Sequence, residues 1–570
     1  MIKSVVWALC VLAILGSAQL NAQNVTTWHY DINRTGRQQN ETTLTATGTG
    51  HVSQSNFGLL WQWQVTGAVF AQPLAVTGVQ TNNTNCQPCN LVFIATEKDM
   101  LYAFSSGSPQ TPPVWSVNLA ASVTGGTAVD CGNLLPGVHF GPCDPPKVLG
   151  SNIGHTGTPV IDTTTNTLYL VGAVQDSNQN IGYYIFAVDI RSGTVLNNLP
   201  TKIAGTVSGK APSTPCHSTY PAQGQVSFDY DHIQRSALLL MPNGNIYVPF
   251  APGGDTGETK NGWIFGYSFN GSTFSQSAVF TTTPYGTGGG IWQSAAGLAS
   301  DGSYIYAVTG NGTNFDPGTG PPVDMGDTLL KLNPFNGSFT VTDYFTPSDV
   351  FSYPGSNGNG NGRCQNDVDF GSGGVLVFPD AFYFDQNNRD YPNLVVNADK
   401  ESKLYVANRD NLGMFNPTGG NNIQTITTPP IPQNDPGQGY WASPAYWKYT
   451  NGSTTNYMLY YSATTEKKTV APKAINGYQL LTTGSSGPIA SQTPTVSSST
   501  LFCSRSPTPT VSSQRHRGRN GHRVGNREWQ FRQFRLKPGL RWNPVACGVA
   551  RVRRNQSCGA LQQQGCDHDD

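Results

Sequence analysis

The sequence predicts an all-β fold: a single β-propeller of seven or eight blades, incomplete at its C-terminus. Three observations carry that expectation. Apolar residues gather in short runs bounded by Gly, Asn, Pro and Asp, and no segment sustains a 3.6-residue period. One strand-and-turn pattern also recurs along the body, the mark of a repeat architecture whose units bury their faces against one another.

The repeat is legible element by element. A first strand recurs at 72–76, 158–162, 236–244, 295–302, 374–380, 443–446 and 506–511, each an apolar run ending in turn residues. Behind the first six lies a second strand rich in β-branched and aromatic residues, at 91–96, 168–172, 246–250, 305–309, 394–397 and 458–462. A third strand ending in a tight turn is visible at 184–193, 263–271, 329–337 and 403–413. Three such strands and an outer one make a four-stranded blade. First strands start 59 to 86 residues apart, well beyond the roughly 40-residue blade repeat, so one face must carry long loops. The segment Phe57-Gly-Leu-Leu-Trp-Gln-Trp-Gln-Val65 reads as an outer strand that the N-terminus donates to the last blade.

Composition narrows the function classes. The 570 residues carry 33 Lys+Arg against 33 Asp+Glu, with 11% aromatic residues, 64 Gly and 39 Pro. A zero net charge gives no whole-chain handle for nucleic acid. The aromatic content is too high for a solvated, disordered chain. The zero hides an asymmetry, since residues 1–513 hold 21 basic and 29 acidic side chains while 514–570 hold 12 basic and 4 acidic.

Residues 1–22 have the layout of a secretory signal peptide: Lys3, an apolar run from Val5 to Leu15, then small residues at Gly16, Ser17, Ala18 and Ala22. No later run approaches 18 apolar residues, so a secreted or periplasmic protein without a membrane span is expected, as a monomer. Cysteine usage fits an oxidising compartment. Cys131 and Cys143 are close enough in sequence to pair, and Cys86-Gln-Pro-Cys89, followed by Asn90 rather than the His of a haem-attachment motif, reads as a surface disulfide.

The turn segments Ala187-Val-Asp-Ile-Arg-Ser-Gly193 and Tyr405-Val-Ala-Asn-Arg-Asp410 resemble the blade repeat of quinoprotein propellers, over residues 25–513. The opening His29-Tyr-Asp-Ile-Asn-Arg-Thr-Gly36 is similar to that of secreted PQQ-like propeller proteins. More specific segments resemble the PQQ-dependent alcohol dehydrogenases, in that family's order. Gly288-Gly-Gly-Ile-Trp292 is similar to the segment whose Trp floors the quinone, and Thr309-Gly-Asn-Gly312 to the one whose Asn, here Asn311, ligates calcium. Asp367-Val-Asp-Phe370 is similar to the stretch holding the catalytic Asp, with Asp369 the better match. Asn397-Ala-Asp-Lys-Glu401 is similar to the strand whose Lys, here Lys400, bonds the quinone, and Gly253-Gly-Asp255 falls where the family places a calcium-binding Glu.

The resemblance thus implies PQQ and calcium as cofactors, with Asp369 catalytic, Trp292 and Lys400 holding the quinone, and Asp255 and Asn311 on the metal. It implies oxidation of an alcohol or sugar, so a small-molecule or carbohydrate ligand. Two departures stand against it: the adjacent Cys-Cys pair of that family is absent, and Asp255 is one methylene shorter than Glu. The plainer alternative is a non-catalytic propeller acting as a binding or scaffold module. Trp292 would then be inter-blade packing, Asn311 a left-handed turn residue, Lys400 a solvated side chain, and Asp369 a loop cap or the partner of a neighbouring side chain.

From Gln514 the repeat stops, and 514–570 is a basic tail of non-repeat sequence. It reads as a disordered tail, a polyanion-binding arm or a frameshift product. Permitted codons for 514–529, read one nucleotide later, give NGTGAATAIVWAIES, a turn followed by an apolar strand. The same operation on 550–570 gives HAYDATNLAELYNSRDATM, whose AYDATN has the blade-turn form of Ala187-Val-Asp189. Two blade-like strands in order point to a frameshift near Ser513.

Overall fold

A computed structural model describes residues 24–41, 62–514 and 530–531, apart from 108–111, 135–140, 144–151, 198–199, 254–259, 294–295, 353–361, 382–392, 428–437, 440–441, 466–472, 481–489, 503–507 and the single residues 317, 319, 336, 402, 423, 452, 463 and 492. The expected signal peptide, most of the basic tail and Asp255 lie outside the described residues.

Six sheets have the blade order of four successive antiparallel strands, innermost first. Blade 1 is Leu74–Val79, Cys89–Ala95, Met100–Ser105 and Trp115–Asn118. Blade 2 is Val160–Asp162, Thr167–Gln175, Ile181–Asp189 and Thr201–Lys202. Blade 3 is Leu239–Leu240, Ile246–Pro252, Trp263–Phe269 and Phe274–Thr281. Blade 4 is Ala299–Ser300, Ile305–Val308, Leu329–Asn333 and Thr340–Thr346. Blade 5 is Leu376–Val377, Leu394–Ala398, Lys403–Asn408 and Gln424–Thr427. Blade 6 is Ala445–Asn451, Thr454–Ser462, Lys473–Leu480 and Val496–Phe502. A seventh sheet joins Arg37–Glu41, Val511–Gln514 and Gln530–Phe531.

Burial explains why the strands read as they do. The middle strands of blade 2, TLYLVGAVQ and IGYYIFAVD, are buried at every position but the last. Neighbouring blades cover both their faces, so they are continuous apolar runs rather than alternating ones. Outer strands keep one wet face and alternate, as in Trp115–Asn118. The turn closing the third strand of blade 2 is set locally: Asp189 Oδ1 accepts the Arg191 N–H at 2.8 Å, and Gly193, at φ 77°, donates to Asp189 O at 2.8 Å.

The N-terminal segment is the hub of the fold. Val25 exchanges main-chain bonds with Ala75 of blade 1 (2.7 and 2.9 Å), and Thr26 O accepts from Ile161 of blade 2 (2.8 Å). Ile32 O accepts from Ser300 of blade 4 (2.7 Å), Asn33 O from Val377 of blade 5 (2.9 Å), Thr35 O from Tyr446 of blade 6 (2.8 Å) and Gly36 O from Val511 of the seventh sheet (2.8 Å). Arg34 supplies the contact to blade 3. Its buried guanidinium donates to Leu238 O at 3.0 Å, and also to Leu298 O, Trp28 O and Thr27 Oγ1 at 2.7 to 3.0 Å. One stretch therefore touches seven innermost strands in turn, which counts seven blades rather than eight among the described residues.

The N-terminus does donate a strand to the last blade, but not the one the sequence suggested. Arg37–Glu41 runs parallel to Val511–Gln514. Of the 57–65 segment, residues 57–61 lie outside the described residues, and Trp63 and Val65 pack instead on Val69, Ile94, Tyr102 and Phe104 of blade 1. Aromatic composition could not distinguish a strand from a packed extended segment.

Among the described residues three disulfides are present: Cys86–Cys89 and Cys131–Cys143, as the spacings suggested, and Cys216–Cys364, which closes across 148 residues and which spacing could not reveal. No helix among the described residues is long and apolar enough to cross a membrane.

Candidate functional site

Trp292 and Asp369 lie in the segments that lead into the innermost strands of blades 4 and 5, and Asn311 and Lys400 lie in the turns between the second and third strands of those blades. In an antiparallel blade both kinds of connection emerge on the same face, so the topology alone brings the four to one side of the ring.

The side chains then close a hydrogen-bonded circuit. Lys400 Nζ stands 2.5 Å from Asp369 Oδ2 and 2.6 Å from Asp367 Oδ1. The Asn311 main-chain N–H donates to Asp369 Oδ1 at 2.7 Å, and its side-chain Nδ2 donates to Asp367 Oδ1 at 2.7 Å. Lys400 also donates its own main-chain N–H to Asp369 O at 3.0 Å. Asn311, Asp369 and Lys400 are each only 3% exposed, whereas the Asp367 side chain is 37% exposed. A buried ammonium shared by two carboxylates and braced by amides has the pairing that a desolvated charge requires.

Trp292 meets the circuit through Gly310. A Cβ at that position would clash with Asp369 Oδ1 and lie 3.0 Å from Trp292 Cδ1. Only a residue without a side chain lets this turn pass between the indole and the carboxylate. The body of Trp292 is half-buried against the blade 2 and 3 core, and its carbonyl accepts from Ser236 Oγ at 2.9 Å.

The surrounding shell fixes the two carboxylates. Asp327 Oδ1 accepts the Phe370 N–H at 3.0 Å, and Asn397 Nδ2 donates to Phe370 O at 2.9 Å. On the flanks of Lys400, the fully buried Arg363 guanidinium reaches Asp349 Oδ1 (2.8 Å), Asp399 Oδ2 (3.3 Å) and Glu401 Oε2 (2.6 Å), while Tyr405 donates to Asp399 Oδ2 at 2.9 Å. Burial pushes the Asp399 carboxyl up, and Arg363 opposes that push. Next to Arg363, the Cys216–Cys364 disulfide ties this segment to the loop between blades 2 and 3.

Of the five residues suggested by sequence, four converge, and Asp255 lies outside the described residues. Two plain readings fail on geometry: Lys400 is buried rather than solvated, and the left-handed backbone belongs to Asp367 (φ 53°), not to Asn311. Sequence reasoning passed over Asp367, although the Asp-x-Asp spacing contained it, and also Arg363 and the Cys216–Cys364 tie.

The donor set suits a hard cation. Asn311 Oδ1 is buried with no hydrogen-bond partner among the described residues, on a side chain whose Nδ2 donates to Asp367 Oδ1. No group of three His, Cys, Asp or Glu side chains with metal-holding geometry occurs among the described residues.

No family model matches the chain, and no curated protein matches it. Among solved structures it is similar to a europium-containing methanol dehydrogenase, at 12% identity over 84% of this chain and 79% of that one, with a TM-score of 0.43. It is also similar to the quinohemoprotein alcohol dehydrogenase of Comamonas testosteroni, at 11% identity over 96% of this chain and 83% of that one, with a TM-score of 0.42. A mitotic checkpoint complex chain follows at 10% identity, 80% and 93% coverage and a TM-score of 0.30.

Proposed function

We propose that the chain is an exported quinoprotein-like propeller that binds PQQ and calcium on the face carrying Trp292, Asn311, Asp369 and Lys400, and oxidises an alcohol or a sugar. The observation that carries this reading is the Lys400–Asp369–Asn311 circuit across the joint of blades 4 and 5, with a buried amide oxygen left unpartnered beside it. The signal-peptide layout and the three disulfides favour export.

In this reading Asn311 Oδ1 and Asp255 hold the calcium, Lys400 faces the anionic quinone and Trp292 offers it an aromatic floor. A bound cation would supply Lewis acidity and a bound quinone would supply a two-electron acceptor. Asp369 accepts the substrate hydroxyl proton on a carboxylate held still by the Asn311 N–H and by Lys400 Nζ. Asp367, the exposed member, faces the small-molecule side and keeps Lys400 oriented.

One observation favours the second reading, a non-catalytic binding or scaffold module. Lys400 already satisfies both carboxylates, so the circuit is also a self-sufficient brace between blades. Titrating the protein with PQQ and Ca²⁺ and following quinone absorbance and dye reduction separates the two.

A further inference from the structure

A second polar cluster lies on the same face, at the joint of blades 1 and 2, and the circuit described above does not use it. Glu97 and Asp99 sit in the turn between the second and third strands of blade 1, and His155 in the segment leading into blade 2. All three are at most 1% exposed. Four of their side-chain atoms have no hydrogen-bond partner among the described residues: Glu97 Oε1, both oxygens of Asp99, and His155 Nε2. Native interiors leave few such atoms, and four in one contact group mark a site with chemistry outstanding.

The geometry specifies what is missing. His155 Nδ1 lies 2.9 Å from Val171 O, so that nitrogen carries a proton and donates. Nε2 then faces Asp99 Oδ1 at 3.4 Å, a lone pair against an acceptor unless one of the two is protonated. Glu97 Oε2 accepts from the Gly154 N–H at 2.7 Å and Thr156 Oγ1 at 3.1 Å, which leaves Oε1 bare. Among the described residues, the other ionisable groups facing the cluster are not cations. Tyr183, from the third strand of blade 2, donates its hydroxyl to His232 O at 2.7 Å, with Asp231 beyond it, and Lys98 is exposed. Packing admits no rearrangement, because a Cβ on Gly172 would already lie 2.6 Å from both Asp99 Oδ1 and His155 Cε1. Phe186 closes the remaining side, its ring edge-on to His155 at 5.9 Å.

We propose that this cluster is a proton-binding latch: Glu97 and Asp99 are held as carboxylic acids beside a neutral His155, and their ionisation loosens the joint between blades 1 and 2. Two buried carboxylates that feel each other's charge, with Glu97 Oε1 and both Asp99 oxygens unpartnered and no cation beside them among the described residues, are too costly to keep ionised, so each must keep its proton or the joint must open to water. Burial agrees in direction, pushing Glu97 up to about 7, Asp99 well up and His155 down to about 4. The protein therefore grips this joint in mildly acidic surroundings and relaxes it in alkaline ones.

Infrared difference spectra of the wild-type protein between about pH 5 and about pH 9 test this without any variant. The expected result is a C=O band from buried protonated carboxyls at the acid end that disappears toward the alkaline end. Its absence at the acid end overturns the proposal. Amide exchange across Met100–Ser105 and Val160–Asp162, corrected for intrinsic rate, is the second readout. Opening should accelerate about tenfold per pH unit for each carboxyl that ionises on opening, from about pH 4.5 until the closed joint itself ionises, and E97Q/D99N, which is neutral at every pH, should abolish that dependence. An unchanged pH dependence in the double variant contradicts the latch.

Discussion

The main-chain N–H of Asn311, in blade 4, donates a 2.7 Å hydrogen bond to Oδ1 of Asp369, which leads into blade 5. The candidate site therefore straddles a blade joint, and its geometry depends on how closely two repeats approach each other. Gly310 sets that approach. Replacing it with Ala inserts a methyl between Trp292 and Asp369, an overpacking that should destabilise the protein by about 1–3 kcal/mol. Calcium binding should fall with little change in secondary structure. Circular dichroism with isothermal titration checks this, and undiminished calcium affinity would contradict the placement of Asn311.

Arg34 is the spoke that reaches blade 3. The Arg34→Ala substitution strips the buried partners from Leu238 O, Leu298 O, Trp28 O and Thr27 Oγ1 together. Unsatisfied buried groups each cost about 1–3 kcal/mol, so a loss of about 3 kcal/mol or more is expected in denaturant unfolding. A loss below about 1 kcal/mol would mean that the N-terminal segment is not the hub of the ring.

His29 gives the hub an acid limit. Burial holds its imidazole down to about 4 against an ordinary 6.5, although both ring nitrogens face carbonyls, Arg34 O at 3.0 Å and Pro509 O at 2.9 Å. The unfolded chain binds this proton below pH 6.5 while the folded one refuses it until about 4. Stability is accordingly lost as pH falls through that window, by about 3 kcal/mol from this group. His155, also held down to about 4, shares this slope, and Glu97 and Asp99 have the opposite one, that of Glu97 fading as pH rises from its ordinary 4.5 toward about 7, so the effect is read by difference. His29→Gln should flatten the acid limb of the stability profile, and an identical limb would contradict this assignment.

Much of this architecture was legible in advance, for physical reasons. The first six inner-strand segments and all six second-strand segments fall where the repeat placed them, because blade strands buried on both faces must be apolar and must end at turn residues, while the seventh inner strand, expected at 506–511, is Val511–Gln514. The meeting of Trp292, Asn311, Asp369 and Lys400 was foreshadowed by resemblance alone; their equivalent places in successive blades emerge only from the fold. Asp367 and Arg363 were harder to see, since a carboxylate or guanidinium acquires its role from partners far away in sequence, such as Lys400 and Asp399. The 148-residue reach of Cys216 to Cys364 is a purely tertiary fact. So is the choice of Arg37–Glu41 over residues 57–65 as the strand donated to the last blade.

The basic tail carries its own test. If a frameshift lies near Ser513, resequencing the gene across that codon should find one nucleotide gained or lost. The corrected frame should then encode the turn and apolar strand NGTGAATAIVWAIES in place of 514–529. An uninterrupted frame confirming the basic sequence would remove the frameshift and leave a genuine tail.

The central claim is that the blade 4 and 5 joint is a PQQ and calcium site. Adding PQQ with Ca²⁺ to the protein and recording bound-quinone absorbance together with dye reduction in the presence of alcohols and sugars tests it most directly. The expected result is saturable quinone binding that is weakened at least about tenfold by Lys400→Ala, with dye reduction lost in Asp369→Asn while quinone binding persists. Absence of quinone binding, or binding and dye reduction indifferent to both substitutions, would contradict the claim and leave the circuit as a brace between blades.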